Sequence, residues 1–218
     1  MSFDDLLRRA QERYEDGARR LPDDADARQR QLTRLGNTAN AAALCLLMLG
    51  RGDEAAGWFD RAAQRWRESY ADAPPDSWGR PIGAMKARIL AGDWPGAEDE
   101  ARWTLGLGAA GAASPIGRYG AMLALLTLGR DEEARAVGTS LLGAESFPRD
   151  VAQALRMLAA GDDLVGYIEA VESVLRSFET RDEYLEGIAV ADTVLVLQAL
   201  GARRDLAAEL DSPLLPPA

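Results

Sequence analysis

Carboxylates are the residues of this chain best able to do chemistry, because their usual partners are missing. There is no histidine among the 218 residues. That removes Ser–His and Cys–His nucleophile pairs, imidazole metal ligands and the easiest general base near pH 7. Zinc would have to rely on one cysteine and carboxylates, which is not a recognisable ligand set. The acidic residues come in runs: Asp23, Asp24 and Asp26; Asp53 and Glu54; Glu98, Asp99 and Glu100; Asp131, Glu132 and Glu133. All fall at or near the start of an expected helix, where carboxylates cap open N–H groups and meet the positive end of the macrodipole. None has the alternating spacing, central glycine and closing glutamate of a calcium loop. No catalytic residue, metal ligand or cofactor is assigned.

Two glycine patterns match functional motifs by letter and not by context. Gly106-Leu107-Gly108-Ala109-Ala110-Gly111 has dinucleotide-binding spacing but follows a helix instead of a strand, and Pro115 interrupts what comes after. Arg51-Gly52-Asp53 spells an adhesion tripeptide inside what reads as a hairpin turn. Cys45 lies in the apolar run from Ala41 to Leu49 and reads as a small core hydrophobe, not a reactive thiol.

Other polar residues sit where burial is expected. Asn37 and Asn40 fall in the middle of an apolar helix, where asparagine has poor propensity. With Arg34 they could line the inner wall of a helical stack and hydrogen-bond an extended peptide. Arg80, Arg88, Arg118 and Tyr119 occupy the first helices of the next two hairpins and would extend that wall. An arginine-bearing groove in a protein of net charge −10 is a local reversal suited to an acidic partner. The competing reading is that these residues satisfy loop carbonyls or face water. Trp58, Trp66, Trp78, Trp94 and Trp103 cluster in the first half and read as interhelix core.

The elements that position these residues are helices. Hydrophobic content is 47 % with only 6 % aromatic, so Ala and Leu fill the core and favour helix-on-helix packing. The net charge argues against nucleic acid and against an anionic membrane surface. The longest apolar run is far below the ~20 residues of a spanning helix, and the N-terminus lacks the basic-then-apolar order of a signal peptide. A cytoplasmic protein is expected.

A turn recurs along the chain: an apolar helix end, Gly and Asp, then small or apolar residues at i, i+4 and i+7. Its copies are Gly50 to Glu54 with Ala55, Phe59 and Ala62; Gly92-Asp93 with Ala97, Ala101 and Thr104; Gly129 to Asp131 with Ala134, Gly138 and Leu141; and Gly161-Asp162 with Leu164, Ile168 and Val171. A degraded copy falls around Gly201 to Leu210. Glycine supplies the positive φ of a helix C-terminus, and Asp is expected to cap the next helix. Gly83-Ala84-Met85 and Gly120-Ala121-Met122 form a second repeat, and Ser77 and Ser114 are N-cap candidates.

The pattern predicts helices over roughly 3–21, 25–49, 53–71, 78–91, 95–106, 115–129, 131–142, 148–160, 162–177, 181–200 and 204–210. Ser2 with Asp5 and Thr180 with Glu183 read as capping boxes. Ile188-Ala189-Val190 and Val194 to Leu197 are rich in β-branched residues; with no second strand to pair, helix is preferred. The linkers are short, so residues 1–218 read as a single helical-repeat domain.

Leu46, Leu49, Gly50, Glu54, Ala55, Phe59 and Ala62 resemble the turn and second helix of a tetratricopeptide repeat. The other copies keep the turn and the small positions but lose the aromatic one, and turn spacings run from about 31 to 42 residues against that family's 34. The resemblance implies an all-α, right-handed stack of about five helical hairpins, and a protein- or peptide-binding scaffold that is not an enzyme. A second resemblance concerns the end of the chain. Arg203-Arg204 followed by Leu210-Asp211-Ser212-Pro213-Leu214-Leu215-Pro216 looks like the close of some all-α immunity proteins, which implies an inhibitor of a cognate toxin. A carboxylate-dependent enzyme ranks last.

Overall fold

Glycines 50, 92, 129 and 161 each close a helix with φ between 69° and 75°, a left-handed conformation that other residues adopt only under strain. Three of these turns share one hydrogen-bond pattern. The glycine N–H donates to the carbonyl three residues back (Gly50 to Leu47, 2.9 Å; Gly92 to Ile89, 3.0 Å; Gly129 to Leu126, 3.2 Å). The next N–H donates five back (Arg51 to Leu46, 2.8 Å; Asp93 to Arg88, 3.0 Å; Arg130 to Leu125, 2.9 Å). This paired closure satisfies the carbonyls that a helix end leaves open. Gly161 uses the simpler single bond to Met157 O, 3.0 Å.

The helices that follow begin differently from the sequence expectation. Neither Asp53 nor Asp131 caps its helix; Arg51 and Arg130 stand at the cap positions without a side-chain cap bond. Each instead forks onto the glutamate three residues on. Arg51 Nε and Nη2 donate to Glu54 at 2.7 Å each, and Arg130 makes the same pair with Glu133 at 2.6 Å. The aspartates lie in the first turn, where the macrodipole favours them without a direct bond. The fourth turn does carry an acidic cap, but it is Asp163, whose Oδ1 accepts from Gly166 N at 2.8 Å, and not Asp162.

The structure is a computed structural model and describes residues 2–217. Among the described residues it is all-α, with no strand. The helices are α1 (Phe3–Arg19), α2 (Ala25–Met48), α3 (Gly52–Tyr70), α4 (Gly79–Leu90), α5 (Trp94–Gly106), α6 (Pro115–Thr127), α7 (Asp131–Leu142), α8 (Arg149–Ala160), α9 (Leu164–Glu179) and α10 (Asp192–Ala202). No helix among the described residues is long and apolar enough to cross a membrane.

The chain forms two compact units. The first comprises Met1–Trp94, Asp182–Val190 and Pro213–Ala218. In it α1 packs on α2, α2 on α3 and α3 on α4, and a 3₁₀ turn at Leu185–Gly187 lies against α2. Its core includes Leu35, Leu46, Phe59 and Met85, all essentially without solvent contact. The second unit comprises Pro95–Arg181 and Ala191–Ser212. There α6 packs on α7, α7 on α8 and α8 on α9, with α10 against α8 and α9. Met122, Leu155, Leu158, Tyr167 and Leu197 fill its core.

Several elements depart from the expectation. The helix expected over 181–200 begins only at Asp192. Thr180 does not start it: the Thr180 hydroxyl donates to Arg176 O at 3.1 Å, closing α9. Glu186 (φ 55°) and Gly187 (φ 72°) are both left-handed, which breaks any helix, and the buried Ile188 and Val190 follow outside any helix or strand. Residues 204–210 form no helix either; Leu206 and Ala208 are buried in irregular chain. Ser77 does not cap α4, since its hydroxyl donates to Pro74 O at 2.7 Å. In the fourth repeat Leu164 is 45 % exposed and the buried face runs instead through Tyr167, Val171 and Val174. Ser2 and Ser114 cap as expected, accepting from Asp5 N and Ile116 N at 3.2 Å each.

Candidate functional site

Helix α2 starts at Asp24, whose Oδ1 accepts from Ala27 N at 2.8 Å. At about 100° per residue, Gln29, Thr33, Gly36, Asn37 and Asn40 share one face, and Gln31, Arg34, Leu35 and Thr38 share the opposite one.

The first face is occupied from within. Arg80 of α4 lies against it, 9 % exposed, its Nε donating to Thr33 Oγ1 at 3.1 Å and its Nη2 to Gln29 Oε1. Both partners are neutral, Nη1 has no hydrogen-bond partner, and burial holds the guanidinium below the usual arginine range. Asn37 Oδ1 accepts from Trp66 Nε1 at 3.0 Å. The indole of Trp66 fits only because both facing residues are glycine: a Cβ on Gly36 would stand 2.7 Å from it, and one on Gly83 3.0 Å. Asn40 is buried beside them. Asn37 therefore pays for its poor helix propensity by satisfying a buried donor.

The other residues singled out from sequence have internal partners too. Arg88 donates to Asp60 of α3 and, at 3.1 Å, to Asp93 Oδ2. In the second unit, Arg118 Nη1 donates to Ala113 O at 3.1 Å and Ala112 O at 3.4 Å. Tyr119 is buried against Phe147, ring centres 5.3 Å apart. Of the seven, Arg34 alone is exposed. Trp58 meets Tyr14 edge-on at 5.3 Å, and Trp66 and Trp78 are buried.

The opposite face of α2 packs on α1, with Leu35 and Thr38 buried and Arg34 exposed. With α1 it borders a cavity of about 210 Å³ lined by Arg13, Asp16, Gly17, Gln31, Arg34, Leu35 and Thr38. Gly17 lets the helices approach closely, since a Cβ there would stand 2.7 Å from Gln31 Nε2. A second cavity, of about 240 Å³, adjoins Leu6, Arg9, Arg13, Ala41, Glu186 and Ile188. Arg13 borders both, and its Nη1 donates to Glu186 Oε2 at 2.8 Å. Arg9 and Arg34 are exposed and, among the described residues, form no ion pair. Arg9, Arg13 and Glu186 were not singled out from sequence. The one-turn spacing of Arg9 and Arg13 was an available signal, but nothing local announces Glu186.

The remaining chemistry-bearing groups have structural occupations. Asp53 and Glu54, and Asp131 to Glu133, lie in first turns. Glu98 and Asp99 pair with Arg102 at 2.9 and 2.8 Å. No group of three or more such side chains among the described residues is placed to hold a metal ion. Burial pushes the Cys45 thiol up to about 11, so it is not a nucleophile at neutral pH. Gly106 to Gly111 runs from the end of α5 through left-handed Gly108 into a 3₁₀ turn at Ala109–Gly111. The Arg203-Arg204 turn is engaged within the second unit: Arg204 Nη2 donates to Leu126 O at 2.7 Å, its Nε to Asp131 Oδ2 at 3.3 Å, and Arg203 Nη1 to Thr127 O at 3.5 Å. No family model, characterised protein or solved structure matches the chain at a significant level.

Proposed function

We propose that this chain is a non-catalytic, tetratricopeptide-like scaffold, one right-handed stack of helical hairpins that binds a protein or peptide of acidic character in the cytoplasm. Two things support the repeat reading: the shared backbone closure at Gly50, Gly92 and Gly129, and the duplicated Arg51–Glu54 and Arg130–Glu133 forks. The observation that carries binding is Arg34. It is the one misfit residue left exposed and without an ion pair, and it stands at a cavity beside Arg13. In an acidic chain, cations left without internal partners are attractive sites for a partner's carboxylates.

Affinity capture from the native cell followed by mass spectrometry tests the reading. A discrete set of acidic partners, released as salt is raised, is expected. Retrieval of none, or turnover of a small molecule by the purified chain, would overturn it.

A further inference from the structure

We infer that a cavity beside α7 in the second unit seats a tryptophan carried by a basic partner segment, where the matching position of the first unit holds the chain's own Trp58. The inference goes beyond the Arg34 surface and does not rest on it.

The two units share one stretch in register. Leu46, Gly50, Arg51, Glu54 and Ala55 of the first correspond to Leu125, Gly129, Arg130, Glu133 and Ala134 of the second, and the left-handed glycines and the Arg–Glu forks coincide. In that register Trp58 and Arg61 correspond to Val137 and Ser140. The Trp58 ring is held from two sides: Tyr14 of the preceding helix α1 meets it edge-on at 5.3 Å, and the Arg61 guanidinium lies over it at 4.4 Å. Val137 supplies no ring. Beside it lies a cavity of about 380 Å³, bordered by α5, α6, α7 and the 3₁₀ turn at Ala109–Gly111. That exceeds either cavity beside α1 and falls among ligand-sized clefts of about 300–1,000 Å³.

The lining is apolar and reachable from solvent. Leu105 and Val137 are half-buried, Ala110 and Ala136 are exposed, and Leu125 is buried. Arg130 and Glu133 complete it. Arg130 engages Glu133 through Nε and Nη2, and a guanidinium held along its edge keeps its flat faces for stacking on a ring. An aliphatic side chain would use the apolar walls alone, whereas an indole uses the walls and the cation. Charge selects what flanks the indole. The second unit holds 17 acidic against 10 basic residues, so it carries −7 of the chain's net charge of −10. Glu132, one turn before Ala136 on the same face of α7, is exposed and forms no ion pair among the described residues. A segment with arginine beside its tryptophan is attracted by that field and has a carboxylate to meet.

The test is fluorescence anisotropy of the full chain with a labelled peptide that carries one tryptophan between two arginines. Two control peptides replace the tryptophan by alanine or both arginines by glutamine. Loss of the tryptophan should weaken binding about tenfold or more, as expected of a seated aromatic anchor. Loss of the arginines should weaken it several-fold, by a margin that shrinks as salt rises. Val137→Trp restores the first unit's ring, so it should abolish peptide binding while leaving the melting temperature unchanged or raised. Ala136→Arg places a cation at the exposed mouth and should weaken binding to a similar extent with no change in melting temperature. Glu132→Gln should reproduce the loss seen with the glutamine peptide. No binding by the wild type, equal affinity for the tryptophan and alanine peptides, or full binding by Ala136→Arg would each overturn the inference. If Val137→Trp unfolds the protein, Ala136→Arg decides alone. Sedimentation that shows a dimer broken by Ala136→Arg would give the cavity to a second copy of the chain and overturn the inference as well.

Discussion

The two faces of α2 carry similar side chains and meet opposite fates. One presents Gln29, Thr33 and Asn37, and each bonds a long side chain arriving from α3 or α4. The other presents Gln31, Arg34 and Thr38. Gln31 reaches only Gly17 O (3.2 Å), Thr38 turns back onto Arg34 O (2.8 Å), and Arg34 meets solvent. Polarity on a helix does not reveal its use. What separates the faces is whether a neighbouring helix brings a buried donor that needs an acceptor.

Four measurements sharpen or break this contrast. The largest effect belongs to Gly36→Ala. Its methyl would press on the rigid indole of Trp66, and overpacking of this kind costs about 2–3 kcal/mol. The melting temperature should fall by roughly 5–10 °C; an unchanged value would mean that Trp66 is not wedged there. Next comes Asn37→Ala, which leaves the Trp66 N–H without an acceptor at a cost of about 1–2 kcal/mol. Denaturant titration reads it, and a neutral result would return Asn37 to the list of binding candidates. At exposed Arg34, substitution by alanine should change stability by less than about 0.5 kcal/mol, and a larger loss would make that side chain structural too. Smallest of all is the effect expected of a thiol reagent at pH 8. Cys45 is fully buried and its thiol is raised to about 11, so it should not react until the protein is unfolded. Rapid labelling of the native protein would show that the C-terminal half of α2 is not enclosed.

The turns were legible in sequence because their cause is local: only glycine takes the left-handed closure that ends α2, α4, α6 and α8. What begins the next helix was misread because Arg51 and Arg130, at the cap positions, made their own glutamate pairs and left the aspartates to the helix dipole. The segment after α9 failed for a related reason. Thr180 and Glu183 have capping-box spacing, yet the hydroxyl also serves to close a helix, and here it does. The candidate site was the least legible part. Asn37 was noticed as a misfit, but its partner Trp66 lies 29 residues away on α3. Arg80 and Gln29 are 51 residues apart, and Arg13 and Glu186 173. Such pairings depend on the tertiary path, which no local pattern encodes.

The Arg13–Glu186 pair has a consequence in time. Glu186 leaves the ribosome 173 residues after Arg13, an interval of roughly 10–35 s at ordinary synthesis rates of 5–20 residues per second. Helices α1 and α2 are adjacent in sequence and can pair long before then. Arg13 therefore has no carboxylate from Glu186 until late in synthesis, and the pair is a late contact of the first unit to close.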